Sequence, residues 1–195
     1  MKASHRLQLW LLTAACSALV VFFLWAPRPW EDGPLVALEL LVFSALTLEA
    51  GLTDFFSRRI PNAVLFILAL LGLLLGVLET YVGLPAHGIT DAVTLTDRLV
   101  AMGASAILFS LVKFLFERLS HQQQLGWGDI KFLMALGAWC SFVELLNVLF
   151  VAALIGVASA VISKLRHGAF TSVRLGFWLS LAAVFLKALS LSITS

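Results

Sequence analysis

The chain has 195 residues, of which 61% are hydrophobic and 12% charged, with a formal net charge of +2; its mean hydropathy is +1.02. A soluble domain carries roughly 45–50% apolar residues even with glycine counted, so this composition excludes one and predicts an all-α, polytopic transmembrane helix bundle in a lipid bilayer. So small a net charge, dispersed along the chain, excludes a nucleic-acid-binding surface, and two cysteines, Cys16 and Cys140, with no CxxC pair give neither a zinc knuckle nor a disulfide framework.

Seven apolar segments can be drawn, near residues 7–26, 35–53, 63–79, 98–117, 129–140, 142–162 and 174–192, which predicts six to seven membrane segments. The first follows Lys2 and Arg6, as a signal peptide would, but its apolar run reaches Trp25 and exceeds the usual signal core of roughly 7–15 residues. It reads as a retained span with Trp10, Trp25 and Trp30 as interface anchors. Residues 1–34 are then an N-terminal transmembrane helix with a short outside loop, and 35–195 one membrane-embedded domain. In the third segment Gly72 and Gly76 form a small-xxx-small pair, a face suited to close helix packing. The fifth is short: residues 129–140 rise only about 18 Å against a hydrocarbon core near 30 Å. Extending it backward would draw His121, Gln122, Gln123 and Gln124 into lipid.

With the N-terminus cytoplasmic, Lys2, Arg6, Arg58, Arg59, Lys113, Arg118, Lys131, Lys164, Arg166 and Arg174 fall inside and Arg28, Arg98 and Lys187 outside, as the positive-inside rule favours.

Two aspartates sit where so apolar a chain least tolerates them. Asp54 closes the second segment and Asp129 opens the fifth; a carboxylate at membrane depth costs a few kcal/mol and marks a functional site. Two intervening spans return the chain to the same face, so the pair can meet there, and two carboxylates in contact share a proton. Their helix ends place that proton on Asp54, beside a negative dipole end, and leave Asp129 ionised at a positive one. Gly126 and Gly128 offer backbone conformations closed to other residues and a close approach for a substrate strand. Pro61 breaks the second helix, and Asn62 caps the start of the third. Lys131, two residues past Asp129, points away from it and reads as a snorkelling anchor. Glu39, Glu49 and Glu144 lie in or at the ends of spans and are expected inside the bundle, Glu49 in a structural hydrogen bond.

The segments Asp54-x5-Ile60-Pro61-Asn62 and Gly126-Trp127-Gly128-Asp129-Ile130-Lys131, the latter continuing through Trp139, resemble the two signature motifs of the type IV prepilin peptidases, membrane aspartyl proteases of the GxGD type. The resemblance covers roughly 50–165. It implies an aspartic endopeptidase with Asp54 and Asp129 as the catalytic pair and no metal or organic cofactor. It further implies removal of the short basic leader from prepilin or pseudopilin precursors, at the cytoplasmic face of the inner membrane. Two departures stand out. Only Pro27 to Pro34 separates the first two spans, where long members of the family carry a methylating domain with CxxC pairs, so methylation of the product is not expected. Residues Ser172 to Trp178 also lack the Phe-Gly-Pro type stretch found before the last helix of such proteins. The competing readings are a small transporter or channel whose carboxylates relay protons or bind a cation, and a non-catalytic assembly protein that keeps the pair for structure.

Overall fold

The computed structural model describes residues 33–82, 93–120, 126–167 and 175–193. The expected first span, Cys16, the tryptophan anchors and the 27–34 connection, apart from the start of the first described helix, lie outside these residues. So do His87, Asp91, the His121 loop and the Ser172 to Arg174 stretch. Among the described residues are six helices: α1 (Gly33–Ser57), α2 (Asn62–Val82), α3 (Leu95–Ser120), α4 (Trp127–Gly137), α5 (Phe142–His167) and α6 (Leu175–Ile193). No strand occurs among them.

Stretches Leu38–Ser57, Asn62–Val82, Leu95–Leu119 and Phe142–Ile162 are long and apolar enough to cross a membrane, and Leu175–Lys187 is a shorter apolar helix. The all-α membrane bundle expected from composition is therefore what forms. Helix α4, at 11 residues, rises only about 16 Å and does not cross, as its length in the sequence required.

Local chemistry sets the ends. Helix α1 continues past Asp54 and stops at Arg58, whose φ of 52° places a non-glycine residue in the left-handed region that ends helices; its N–H still bonds the Asp54 carbonyl at 2.9 Å. Helix α3 opens with a reciprocal cap: the Thr94 hydroxyl accepts the Asp97 N–H at 3.2 Å, and the Asp97 carboxylate accepts the Thr94 N–H at 3.1 Å. Ser141 and Glu144 repeat the device at α5, at 3.3 and 2.8 Å. Glu144 is thus buried, as expected, because its carboxylate is spent on a helix start.

The turn between α4 and α5 is held by four other helices. Trp139 is 1% exposed; its indole N–H donates to the Leu68 carbonyl of α2 at 2.7 Å, and its ring meets Phe43 of α1 at 5.1 Å. The Arg98 guanidinium of α3 donates to the carbonyls of Ala138 and Gly72, at 3.0 and 3.1 Å, and pairs with Glu79 at 2.6 Å. Lys187 of α6 lies 5.6 Å over the Trp139 ring and pairs with Glu39 of α1 at 2.7 Å. Irregular backbone at membrane depth survives only where protein satisfies it, and here side chains do so.

Arg98 and Lys187 are 0% and 1% exposed. They are internal ion-pair partners, and buried in this way they add no weight to a count of basic residues by side. Gly72 and Gly76 lie buried on a close-packed face of α2, as expected. A Cβ on Gly72 would lie 2.6 Å from the Ala138 carbonyl oxygen, and one on Gly76 would lie 2.8 Å from Arg98 Cδ, so the pair makes room for the turn and its clamp.

Candidate active site

At the other end of the bundle the two motif segments dock on each other. Pro61 closes the α1–α2 corner by accepting the N–H groups of Val64 and Leu65 at 3.1 and 3.3 Å. Asn62 therefore lies inside the first turn of α2 and does not cap it. Its side-chain Oδ1 instead accepts the Lys131 ammonium at 3.1 Å. Lys131, expected as a lipid-interface anchor, ties α4 to α2. Ile60 packs near Gly128, where an added Cβ would meet it at 3.7 Å. Lys113 sits 5.3 Å over the Trp127 ring and pairs with Glu117 at 2.7 Å, fastening α3 to the start of α4.

The glycines do not use the freedom expected of them. Gly126 has φ −76° and ψ 145°, ordinary extended backbone at a helix N-cap, and Gly128 lies in the first turn of α4 with no left-handed φ. What Gly126 supplies is space: a Cβ there would stand 3.3 Å from Asp129 Oδ2.

Asp129 occupies the third position of α4, its N–H bonded to the Gly126 carbonyl at 3.2 Å. Its carboxyl is pushed up to about 6, first by burial and then by the negative charge of Asp54, against the lowering effect of a hydrogen bond from the Gly126 backbone. The helix-end argument captures that last bond, but desolvation outweighs it, and Asp129 holds its proton more tightly than an ordinary carboxyl. The same influence shows that the two aspartates, 75 positions apart, are brought within electrostatic reach at one end of the bundle.

The wall on the far side of Asp54 comes from α6. A Cβ on Gly176 would fall 2.8 Å from Asp54 Oδ2, and the next residue, Phe177, packs its ring on Phe55 at 4.9 Å. Phe56 and Trp178 extend this aromatic row, at 5.3 and 5.1 Å from their neighbours. Reasoning from sequence missed Gly176 and Phe177, because their stretch departs from the proline-containing pattern by which that region is recognised. Glu49 is buried as expected, but its Oε2 has no hydrogen-bond partner among the described residues. No group of three or more His, Cys, Asp or Glu is placed to hold a metal ion among the described residues. Two half-buried carboxyls within electrostatic reach of each other, beside an aromatic row, form a site able to activate water against a carbonyl.

A family model described as "Type IV leader peptidase family" matches residues 40–161. The chain is 28% identical over 152 residues to the prepilin leader peptidase/N-methyltransferase of Escherichia coli strain K12, covering 77% of this chain and 63% of that one. It is 29% identical over 170 residues to the protein of that name in Pectobacterium carotovorum subsp. carotovorum, covering 86% and 54%. Against the leader peptidase HopD of Escherichia coli it is 37% identical over 60 residues, 31% and 39% of the two chains. The chain thus spans roughly half to two thirds of the length of the first two relatives. No solved structure matches it.

Proposed function

Because the chain belongs to the type IV leader peptidase family, we propose that it is a membrane aspartic endopeptidase that removes the short basic leader from prepilin or pseudopilin precursors, with Asp54 and Asp129 as the catalytic pair. One observation carries this reading: two aspartates from separate helices lie within electrostatic reach at one end of an apolar bundle, and the charge of one raises the proton affinity of the other. The pair then holds one proton between them, and our reading assigns it to Asp129, whose carboxyl is raised by desolvation and by the Asp54 charge.

In this reading Asp54, ionised, takes a proton from water while the water oxygen adds to the scissile carbonyl carbon. Asp129 gives its proton to the carbonyl oxygen. Collapse of the resulting gem-diol breaks the C–N bond as a proton passes to the leaving nitrogen, and the pair is again singly protonated. Lys131 and Asn62 hold the two motif segments together, Pro61 fixes the corner between them, and Gly126 leaves room for the Asp129 carboxyl. The Asp54 end faces the cytoplasm of an inner-membrane protein, the N-terminus included; the lysines and arginines of the 113–131 and 58–59 regions, at that end, support this. A proton-relay transporter would need a series of free carboxylates along the depth of the bundle, whereas among the described residues Glu39, Glu79 and Glu144 are bound to Lys187, Arg98 and the Ser141 cap, and Glu49 by itself makes no such series.

The test is cleavage of a precursor by purified Asp54→Asn and Asp129→Asn enzymes, read as a mobility shift on gels. Both variants are expected to insert at wild-type levels and give no detectable product. Substantial cleavage by either removes the pair from the mechanism.

A further inference from the structure

We propose that Gly176 is a positioning residue: the bare Cα of α6 seats the Asp54 side chain and so fixes the direction in which its carboxyl faces Asp129. This rests on Asp54 being catalytic, as proposed above.

Helices α1 and α6 run antiparallel, with three contacts in succession along the seam: Glu39 with Lys187, Gly51 with Ser180, and Asp54 with Gly176. The second and third are each a glycine on one helix receiving a side chain from the other. At Gly51 the missing side chain leaves room for the Ser180 hydroxyl, which is itself bonded to the Phe177 carbonyl at 2.7 Å. At Gly176 it leaves room for Asp54. The position of a Cβ on Gly176 would be 2.8, 3.1 and 3.3 Å from Oδ2, Cγ and Cβ of Asp54, so the aspartate lies along the glycine for its whole length. A side chain this short has no far end to bend away. A methyl group at 176 must turn the carboxyl into another rotamer or part the two helices.

Immediately past each partner an aromatic ring locks the seam, Phe55 against Phe177 at 4.9 Å, which makes parting the helices the harder course. Gly176 lies beyond the 40–161 stretch that the family model matches, so this contact adds an element to the site from outside that stretch. Reorienting one member of a catalytic pair is costly because a misplacement of about 1 Å lowers rate by roughly 100-fold.

The experiment compares Gly176→Ala with Gly51→Ala in the full chain, using precursor cleavage, thermal unfolding and a double-mutant cycle. Gly176→Ala is expected to lower kcat about 100-fold, to leave KM within a few-fold and to shift the pH–rate profile, since the two carboxyls no longer face each other as before. Gly51→Ala crowds the same seam one turn away. It is expected to lower the unfolding temperature while kcat per folded molecule stays within a few-fold. Any destabilisation from Gly176→Ala should largely vanish when Asp54 is also replaced by alanine, and if the single variant does not accumulate, the double variant should. Equal loss of kcat in both glycine variants, wild-type kcat in Gly176→Ala, or failure of the Asp54→Ala double variant to recover would each overturn the seating role. Cleavage by Asp54→Asn would instead overturn the assignment of Asp54 to the chemistry, so the two failures are distinguishable.

Discussion

At the scale of single residues, Asp129 couples activity to stability. A carboxyl raised to about 6 binds its proton more tightly in the folded protein than in the unfolded chain. The stability it contributes is therefore complete at pH below the ordinary carboxyl range and is lost as pH rises through about 6. Asp129→Asn, which never ionises, is expected to be more stable than the wild type at pH 8 by on the order of 1–3 kcal/mol, an advantage that fades below about pH 4. Thermal unfolding in detergent at the two pH values measures it, and equal stability throughout would show that the carboxyl is not desolvated. For the same reason cleavage should fall as pH rises through about 6, where the pair loses its shared proton. A rate that climbs from pH 6 to 8 would place the proton elsewhere. The sequence revealed the pair itself, because two intervening spans must return the chain to one face. It did not reveal the Lys131 contact, whose partner is 69 positions away, nor the conformations of Gly126 and Gly128, since composition cannot separate a glycine kept for its backbone from one kept for its missing side chain.

At the scale of elements, α4 is a short strut held at both ends, by Asn62 and Lys131 near Asp129 and by Arg98 at its C-terminal turn. Replacing Arg98 with leucine strands the buried Glu79 carboxylate and the carbonyls of Ala138 and Gly72. Breaking a buried pair in this way costs about 3–5 kcal/mol. Arg98→Lys should recover part of that and no more, because an ammonium cannot reproduce the guanidinium fork that reaches three acceptors at once. Unfolding temperatures of the two variants give the comparison, and a lysine variant as stable as the wild type would reduce the clamp to simple charge pairing. The helices were legible as apolar runs of the right length, and α4 as one too short to cross. Arg98 and Lys187 were not, because hydropathy treats every basic residue as a mark of the membrane boundary, and nothing local distinguishes a charge that points into the bundle. Glu79 and Glu39 lie 19 and 148 positions from those partners, beyond the reach of any helical periodicity.

At the scale of the whole molecule, those two separations set a timetable for biosynthesis. Glu79 and Arg98 sit on consecutive helices, so α2 and α3 can leave the insertion machinery as a hairpin with their charges already neutralised. Among the described residues Glu39 pairs with Lys187, which at roughly 5–20 residues per second emerges some 7–30 s later. During that interval the first described helix carries Glu39 without its Lys187 partner, at a cost of a few kcal/mol in lipid. A chain ending before α6 should therefore be cleared by quality-control proteases faster than the intact protein, and Glu39→Gln should lengthen its lifetime in a pulse-chase experiment. Unchanged turnover of the truncated chain with glutamine at 39 would show that the acid is not what marks it. The described bundle is thus buckled shut by α6, and over the 148 positions between Glu39 and Lys187 the nascent protein carries an unmet charge that only α6 can answer.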